Sequence, residues 1–391
     1  MLDLKRQYQP LHQELLDAVG QVLETQQFIL GEPVAAFEKA AASQLGVAHA
    51  IGCSSGTDAL WLALAAAGIG SPPHEPGLVG GGPGPGDAVV TTPFSFFASV
   101  SAILRAGATP VLADIDPGTF NLDPVAVKSI LNGSGGANVK AVLPVHLYGQ
   151  CADWTAFSSL GQEYGFKLIE DAAQAWGAEW GGVKAGGLGG IAAFSFYPTK
   201  NLSAAGDAGM VTTNSDELAE RTRMLRQHGM RRRYYHDEIG WNARLDGIQG
   251  AILHVKLKYI DGWNQARRIV AERYHALFVA AGLAETGPYP TRGIILPHEV
   301  LGSRHVWHQY VIRTTRRDGL RTFLGSRGIG SEIYYPVPLH LQEALKSLGY
   351  AEGSFPEAER AAKEVLALPI FPELREDEQQ TVVTAIAEFL S

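Results

Sequence analysis

The sequence predicts an α/β protein in which a large, mostly parallel sheet is covered by helices on both faces and followed by a smaller C-terminal αβ region. Three observations predict it. Between about residues 48 and 213, seven short apolar runs alternate with helix-compatible stretches, the pattern expected of strands buried on both faces. The chain has 391 residues, above the roughly 250–300 at which a single core stops growing. Two domains sharing a large interior are therefore expected, at residues 1–250 and 251–391. A second αβ alternation occupies residues 294–391.

In chain order the candidate strands are 49–53, 88–92, 109–114, 141–144, 167–170, 191–196 and 210–213, and the helical stretches are 58–67, 97–105, 124–131, 154–164 and 216–227. A long helical stretch over 245–277 leads into the C-terminal region. Residues 77–86, rich in Gly and Pro, disfavour both helix and strand and read as a surface loop. They are not a phosphate loop, because no Gly-Lys-Ser/Thr follows. The glycines of 186–190 precede a strand where a dinucleotide fingerprint would follow one, so they read as a turn. Sites in such folds gather at the carboxyl ends of the strands.

Composition excludes several classes. A hydrophobic share of 46% with 18% charged residues fits a soluble globular chain and argues against disorder. A net charge of -8 gives no electrostatic reason to expect a nucleic-acid partner. Two cysteines, Cys53 and Cys151, are too few for a disulfide framework or a metal cluster, so no metal is expected and a reduced cytosol fits. The N-terminus lacks the apolar segment of a signal peptide, and no run approaches the roughly 20 apolar residues that span a bilayer. A cytoplasmic protein without a membrane partner is expected.

Candidate chemistry centres on Lys200. A lysine amine bonds an aldehyde cofactor only when deprotonated, which requires desolvation or a neighbouring cation. Ser55-Gly56-Thr57 follows a strand and opens a helix, where unpaired N–H groups and the helix dipole favour an anion such as phosphate. An ordinary helix cap explains these three residues equally well. Ser195, ahead of the lysine, is a second phosphate candidate. Asp171 ends an apolar strand, and a buried carboxylate needs a partner to stay ionised. A protonated pyridine nitrogen would supply that partner, although helix capping also suits an aspartate there. Phe96 could cover a pyridine ring, and Gln174 could approach its phenolic oxygen.

The ordered motifs Ser-Gly-Thr-Asp-Ala-Leu from Ser55, Glu-Asp-Ala-Ala-Gln-Ala from Glu170, Phe-Ser-Phe-Tyr-Pro-Thr-Lys-Asn from Phe194 and Trp-Asn-Ala-Arg-Leu-Asp from Trp241 resemble the DegT/StrS family of pyridoxal-phosphate-dependent nucleotide-sugar aminotransferases. The resemblance runs from Leu2 to the C-terminus. Two departures are the 77–86 insert and Gly206-Asp207-Ala208-Gly209, where the family commonly has Gly-Glu-Gly-Gly. Neither removes a proposed catalytic group.

The resemblance implies an aspartate-aminotransferase-like fold (fold type I), with a seven-stranded cofactor domain and a smaller C-terminal αβ domain. It implies pyridoxal 5'-phosphate as cofactor, with the aminated form PMP between half-reactions. Lys200 would be the Schiff-base lysine and Asp171 the partner of the ring nitrogen. Gly56, Thr57 and Ser195 would hold the phosphate, Phe96 would stack on the ring, and Gln174 would lie beside it. Asn242 would reach the phosphate of a neighbouring subunit, making a homodimer with shared sites. The loop 227–236 mixes cations and aromatics and reads as either a solvated basic loop or, by resemblance, a pyrophosphate contact through an arginine such as Arg231. His308 and His340 could touch a sugar, although a histidine near an apolar strand is more often structural. The implied reaction moves an amino group from L-glutamate to a nucleotide-linked ketosugar, with a lean toward C3 and a deoxythymidine diphosphate. A UDP-linked 3-keto or 4-keto acceptor and a non-enzymatic cofactor-binding regulator or sensor stand as alternatives.

Overall fold

The computed structural model describes residues 2–70, 86–133 and 136–391. The Gly/Pro-rich stretch therefore lies, apart from Gly86, outside the described residues. The seven expected strands all form and make one sheet: β1 His49–Cys53, β2 Ala88–Thr91, β3 Thr109–Leu112, β4 Val139–Val142, β5 Lys167–Asp171, β6 Ile191–Ser195 and β7 Gly209–Thr213, in the order β1-β7-β6-β5-β4-β2-β3. β7 runs antiparallel to both its neighbours, and the other adjacent pairs are parallel. Ala141, Val142, Ile169, Ala192 and Val211 are buried in neighbouring strands, which is why these runs are continuously apolar and do not alternate.

The helices α1 His12–Thr25 and α2 Glu32–Leu45 precede the sheet, and α3 Gly56–Ala66, α4 Ala98–Arg105, α5 Pro124–Asn132, α6 Trp154–Tyr164 and α7 Asp216–Leu225 follow strands as the sequence pattern requires. α3 is buried nearly all round, through Ala59, Leu60, Trp61, Leu62, Ala63 and Leu64. Its alanines and leucines combine high helix propensity with an all-apolar surface. The long helical stretch 245–277 divides into α8 Gly247–Leu257 and α9 Ile260–Ala280. The expected boundary at residue 250 falls inside α8. That helix buries Ile252 and Val255 against Leu11 and Leu15 at the other end of the chain, a contact invisible to a linear reading.

The C-terminal region builds a four-stranded sheet from β10 Ala284–Glu285, β11 Ile294–Ile295, β12 Tyr310–Arg313 and β13 Val365–Leu368, after a short hairpin of β8 Met230–Arg232 and β9 Tyr235–His236. One apolar cluster joins Val89 and Ile169 of the large sheet to Val311 and Leu366 of the small one, so the two regions share an interior. The layout leaves the carboxyl ends of β5 and β6 beside the N-terminus of α3. Gly209, at the start of β7, holds that junction closed. A Cβ there would lie 2.2 Å from the Ser55 carbonyl oxygen and 2.8 Å from the Gly56 nitrogen, so only glycine fits.

Candidate active site

The N-terminus of α3 is capped by Ser55, whose Oγ accepts from Asp58 N at 3.1 Å, while Ala59 N bonds the Ser55 carbonyl at 2.9 Å. These bonds use the third and fourth N–H groups of the turn and leave those of Gly56 and Thr57 for a ligand. Both sequence readings hold at once, because the cap and the anion site use different donors. Gly56 also brings Ser195 into the cradle: a Cβ at Gly56 would come within 2.5 Å of the Ser195 Cβ and 3.0 Å of its Oγ. The three phosphate candidates, from the start of α3 and the end of β6, thus lie together.

Asp171 ends β5, where Asp171 pairs with Ala193 of β6, and it is only 2% exposed. Its Oδ2 accepts from Ser99 Oγ at 2.7 Å and its Oδ1 from Ala173 N at 3.2 Å. Burial raises the carboxyl pKa above its ordinary value, and those two bonds, Lys200 and His146 offset part of the rise. A buried carboxylate with a raised pKa and two donors fits a protonated ring nitrogen as its missing cation. Behind it, Glu170 points into the opposite layer. Its carboxylate takes Gly186 N and Gly189 N, each at 2.7 Å, and lies 3.2 Å from His146 Nε2. The glycine-rich turn 186–190 is thereby pinned at the start of β6.

Lys200 lies five residues beyond the end of β6 and is half-buried. Desolvation lowers its pKa to about 8, against a smaller opposing pull from Asp171. At pH 7 roughly one lysine in ten is then neutral, compared with about one in 3000 for an ordinary lysine. The loop is anchored by Asn201, whose Nδ2 donates to Asn264 Oδ1 at 2.8 Å and to the Val306 carbonyl at 3.0 Å. Because the neutral amine is the reactive form, the rate at which cofactor-free protein captures pyridoxal phosphate should climb with pH and level off above about 8. Stopped-flow absorbance checks this, and a climb continuing through pH 10 would contradict it.

The remaining sequence candidates divide. Gln174 is buried beside Asp171; its Oε1 accepts from Tyr148 N at 2.7 Å and its Nε2 donates to the Tyr335 hydroxyl at 3.0 Å. Phe96 is 59% exposed, with its ring 6.4 Å from that of Tyr335. Asn242 is exposed and accepts from Arg244 Nε at 2.9 Å. Arg231, on β8, is exposed and paired with Glu220 at 3.1 Å and Asp237 at 3.2 Å. His308 is buried, with Nδ1 3.2 Å from Asn201 Oδ1; burial, then Lys200 and Arg267, hold its pKa well below the ordinary value. The ring is therefore neutral and attached to the lysine loop.

His340 is packed in the C-terminal region. Its side chain is fully buried, with Nε2 2.9 Å from Glu359 Oε1 and its ring edge-on to Phe355. Its Nδ1, by contrast, has no hydrogen-bond partner among the described residues. The sequence reading missed Ser99, Asn201 and Tyr335. Tyr335 lies five residues from His340, and its aromatic-hydroxyl chemistry was the available signal.

A phosphate cradle, an acidic partner for a ring nitrogen and a lysine of lowered pKa together fit pyridoxal phosphate. Comparison with known proteins agrees. Residues 9–387 match the model of the DegT/DnrJ/EryC1/StrS aminotransferase family, whose aminotransferases depend on that cofactor. The pleiotropic regulatory protein of Geobacillus stearothermophilus is 48% identical over 100% of this chain and 98% of its own length. The UDP-N-acetyl-3-dehydro-alpha-D-glucosamine 3-aminotransferase of Acidithiobacillus ferrooxidans is 40% identical over 100% of this chain and 97% of its own. The dTDP-3-amino-3,4,6-trideoxy-alpha-D-glucose transaminase of Streptomyces venezuelae is 40% identical over 99% and 95%. The crystal structure of S. venezuelae DesV, in complex with a ketimine intermediate, superposes with a TM-score of 0.90 at 40% identity, covering 100% of this chain and 97% of that one. On the match along nearly its whole length, the chain belongs to the DegT/DnrJ/EryC1/StrS aminotransferase family and is a pyridoxal-phosphate-dependent aminotransferase.

Proposed function

We propose that this enzyme transfers an amino group from L-glutamate to C3 of a nucleotide-linked ketohexose, with a dTDP-linked 3-keto-6-deoxyhexose as acceptor. The observation that carries the chemistry is Lys200, half-buried with its pKa lowered to about 8, within the electrostatic reach of the buried Asp171. The relatives named for 3-amino and 3-dehydro sugars support the position on the ring. A UDP-linked 3-keto acceptor is the second reading, favoured by the equal identity to the A. ferrooxidans protein. The regulatory name of the G. stearothermophilus relative is said of that protein; Lys200, with its lowered pKa, supports turnover here.

In this reading Gly56 and Thr57 N–H groups and Ser195 Oγ bind the phosphate. Asp171 holds a proton on the ring nitrogen. When bound, the cofactor supplies an aldehyde carbon that exchanges amines and a ring that accepts the electron pair left by a departing proton. Lys200 Nζ would bond the aldehyde carbon at rest; freed by the donor, it would move the donor's Cα proton to that carbon, and in the second half-reaction would move a proton from that carbon to C3 of the sugar. Arg231, exposed and paired with Glu220 and Asp237, would contact the pyrophosphate, and neutral His308 would line the sugar side.

A homodimer with shared sites belongs to the same proposal, supported by the exposure of Asn242 and of the neighbouring Trp241 and Ile239. Mixing Lys200→Ala with Asn242→Ala protein should give more activity than either parent, because each heterodimer regains one intact site. No recovery in demonstrated heterodimers would contradict sharing. A cytoplasmic location is also proposed; no helix among the described residues is long and apolar enough to cross a membrane, and both cysteines are free and buried.

The substrate is tested by loading the protein with PMP and following its conversion on addition of dTDP- and UDP-linked 3-keto and 4-keto sugars and of unlinked sugars. The dTDP 3-keto sugar should react fastest. Unlinked sugars should lose turnover as well as affinity, since binding energy from the nucleotide positions the keto carbon. Fast reaction with a 4-keto sugar alone would overturn the C3 assignment.

A further inference from the structure

Gln174 sets the direction of a short hydrogen-bond chain. Its Oε1 accepts from the Tyr148 backbone N–H at 2.7 Å, so the amide nitrogen lies at the other end and donates to the Tyr335 hydroxyl oxygen at 3.0 Å. The Tyr335 oxygen is therefore an acceptor in this contact, and its own O–H hydrogen is left to give. Among the described residues that hydroxyl makes no second hydrogen bond. The ring is held edge-on to Phe94 at 6.2 Å and tilted against Phe96 at 6.4 Å, which limits where the hydroxyl can turn. Burial, together with the charge of Asp171, pushes the phenol pKa well up, so the group remains a donor at any working pH.

The pocket sorts its polar groups by chemistry. Asp171 offers an acceptor, matched to a protonated nitrogen. Gly56, Thr57 and Ser195 offer donors at the helix end, matched to a phosphate. Gln174 and Tyr335 are a pair of neutral donors beside Asp171, matched to an electron-rich oxygen on the same ring. We infer that Tyr335, reaching in from the C-terminal region, donates a hydrogen bond to the phenolic oxygen of the bound cofactor. The inference rests on the assignment of Asp171 and Gln174 to the cofactor pocket.

The test uses cofactor-free protein and two probes, PMP and its 3-deoxy analogue, which lacks only the phenolic oxygen. Dissociation constants from fluorescence quenching are compared for the parent, Tyr335→Phe, Gln174→Leu and the double variant, with thermal melting to verify folding. Tyr335→Phe should weaken PMP roughly 10–100-fold, the range for a hydrogen bond to a charged group, and leave the 3-deoxy analogue unchanged. Equal loss for both probes or no loss for either would overturn the inference, while the Gln174→Leu background should shrink the Tyr335 effect, because Gln174 directs the hydroxyl. Asp171→Asn is the control for the pocket itself and should also weaken PMP. If it does and Tyr335→Phe does not, only the present inference fails; if Asp171→Asn leaves PMP binding unchanged, the pocket assignment fails and takes the inference with it.

Discussion

Replacing Lys200 with alanine should lower amino transfer by more than the roughly 10²–10⁴-fold that a positioned acid–base group contributes, because the amine that bonds the cofactor is lost with the base. Competing lysines are occupied elsewhere. Lys167 donates to the Ala67 carbonyl at 2.6 Å, Lys184 to the Gln44 carbonyl at 2.7 Å and Lys256 to the Ser203 carbonyl at 2.8 Å. Borohydride treatment of the parent should therefore fix the cofactor on the peptide carrying Lys200, and peptide mass mapping reads the site directly. Labelling at Lys167 or Lys184 would remove Lys200 from its role.

Asp171→Asn should keep the fold, since the two side chains have the same shape, and reduce turnover by about 10²–10³-fold, as for loss of one preorganised electrostatic contact. The variant exchanges one acceptor oxygen for a donor where Ser99 Oγ and Ala173 N both donate, and it can no longer favour a proton on the ring nitrogen. Steady-state kinetics with circular dichroism separates the loss of function from a loss of structure. Near-normal turnover in a folded, cofactor-loaded variant would refute the electrostatic role.

The sheet was legible because each strand carries its own signal: a short apolar run between helix-compatible stretches needs no distant partner to be recognised. Lys200 and Asp171 stood out for a related reason, since an amine in the loop after one strand and a carboxylate at the end of another suggest their chemistry by residue type. What escaped depends on contacts between distant positions. Ser99 matters only because the fold carries it 72 residues along the chain to Asp171, and Tyr335 because it lies against Gln174 across 161 residues. His340 shows the converse. A histidine among apolar residues reads identically whatever its ring meets, and the Glu359 contact of His340 shows only in the fold. The break between α8 and α9 was hidden because residues 258–259, Lys-Tyr, are both tolerated in helices.

The most direct test of the account follows nitrogen. With ¹⁵N-labelled L-glutamate as donor and a dTDP-linked 3-keto-6-deoxyhexose as acceptor, the label should appear on C3 of the nucleotide sugar, and Lys200→Ala should block its transfer. Label that never leaves the donor, or that reaches the sugar at an undiminished rate without Lys200, would contradict amino transfer at this site.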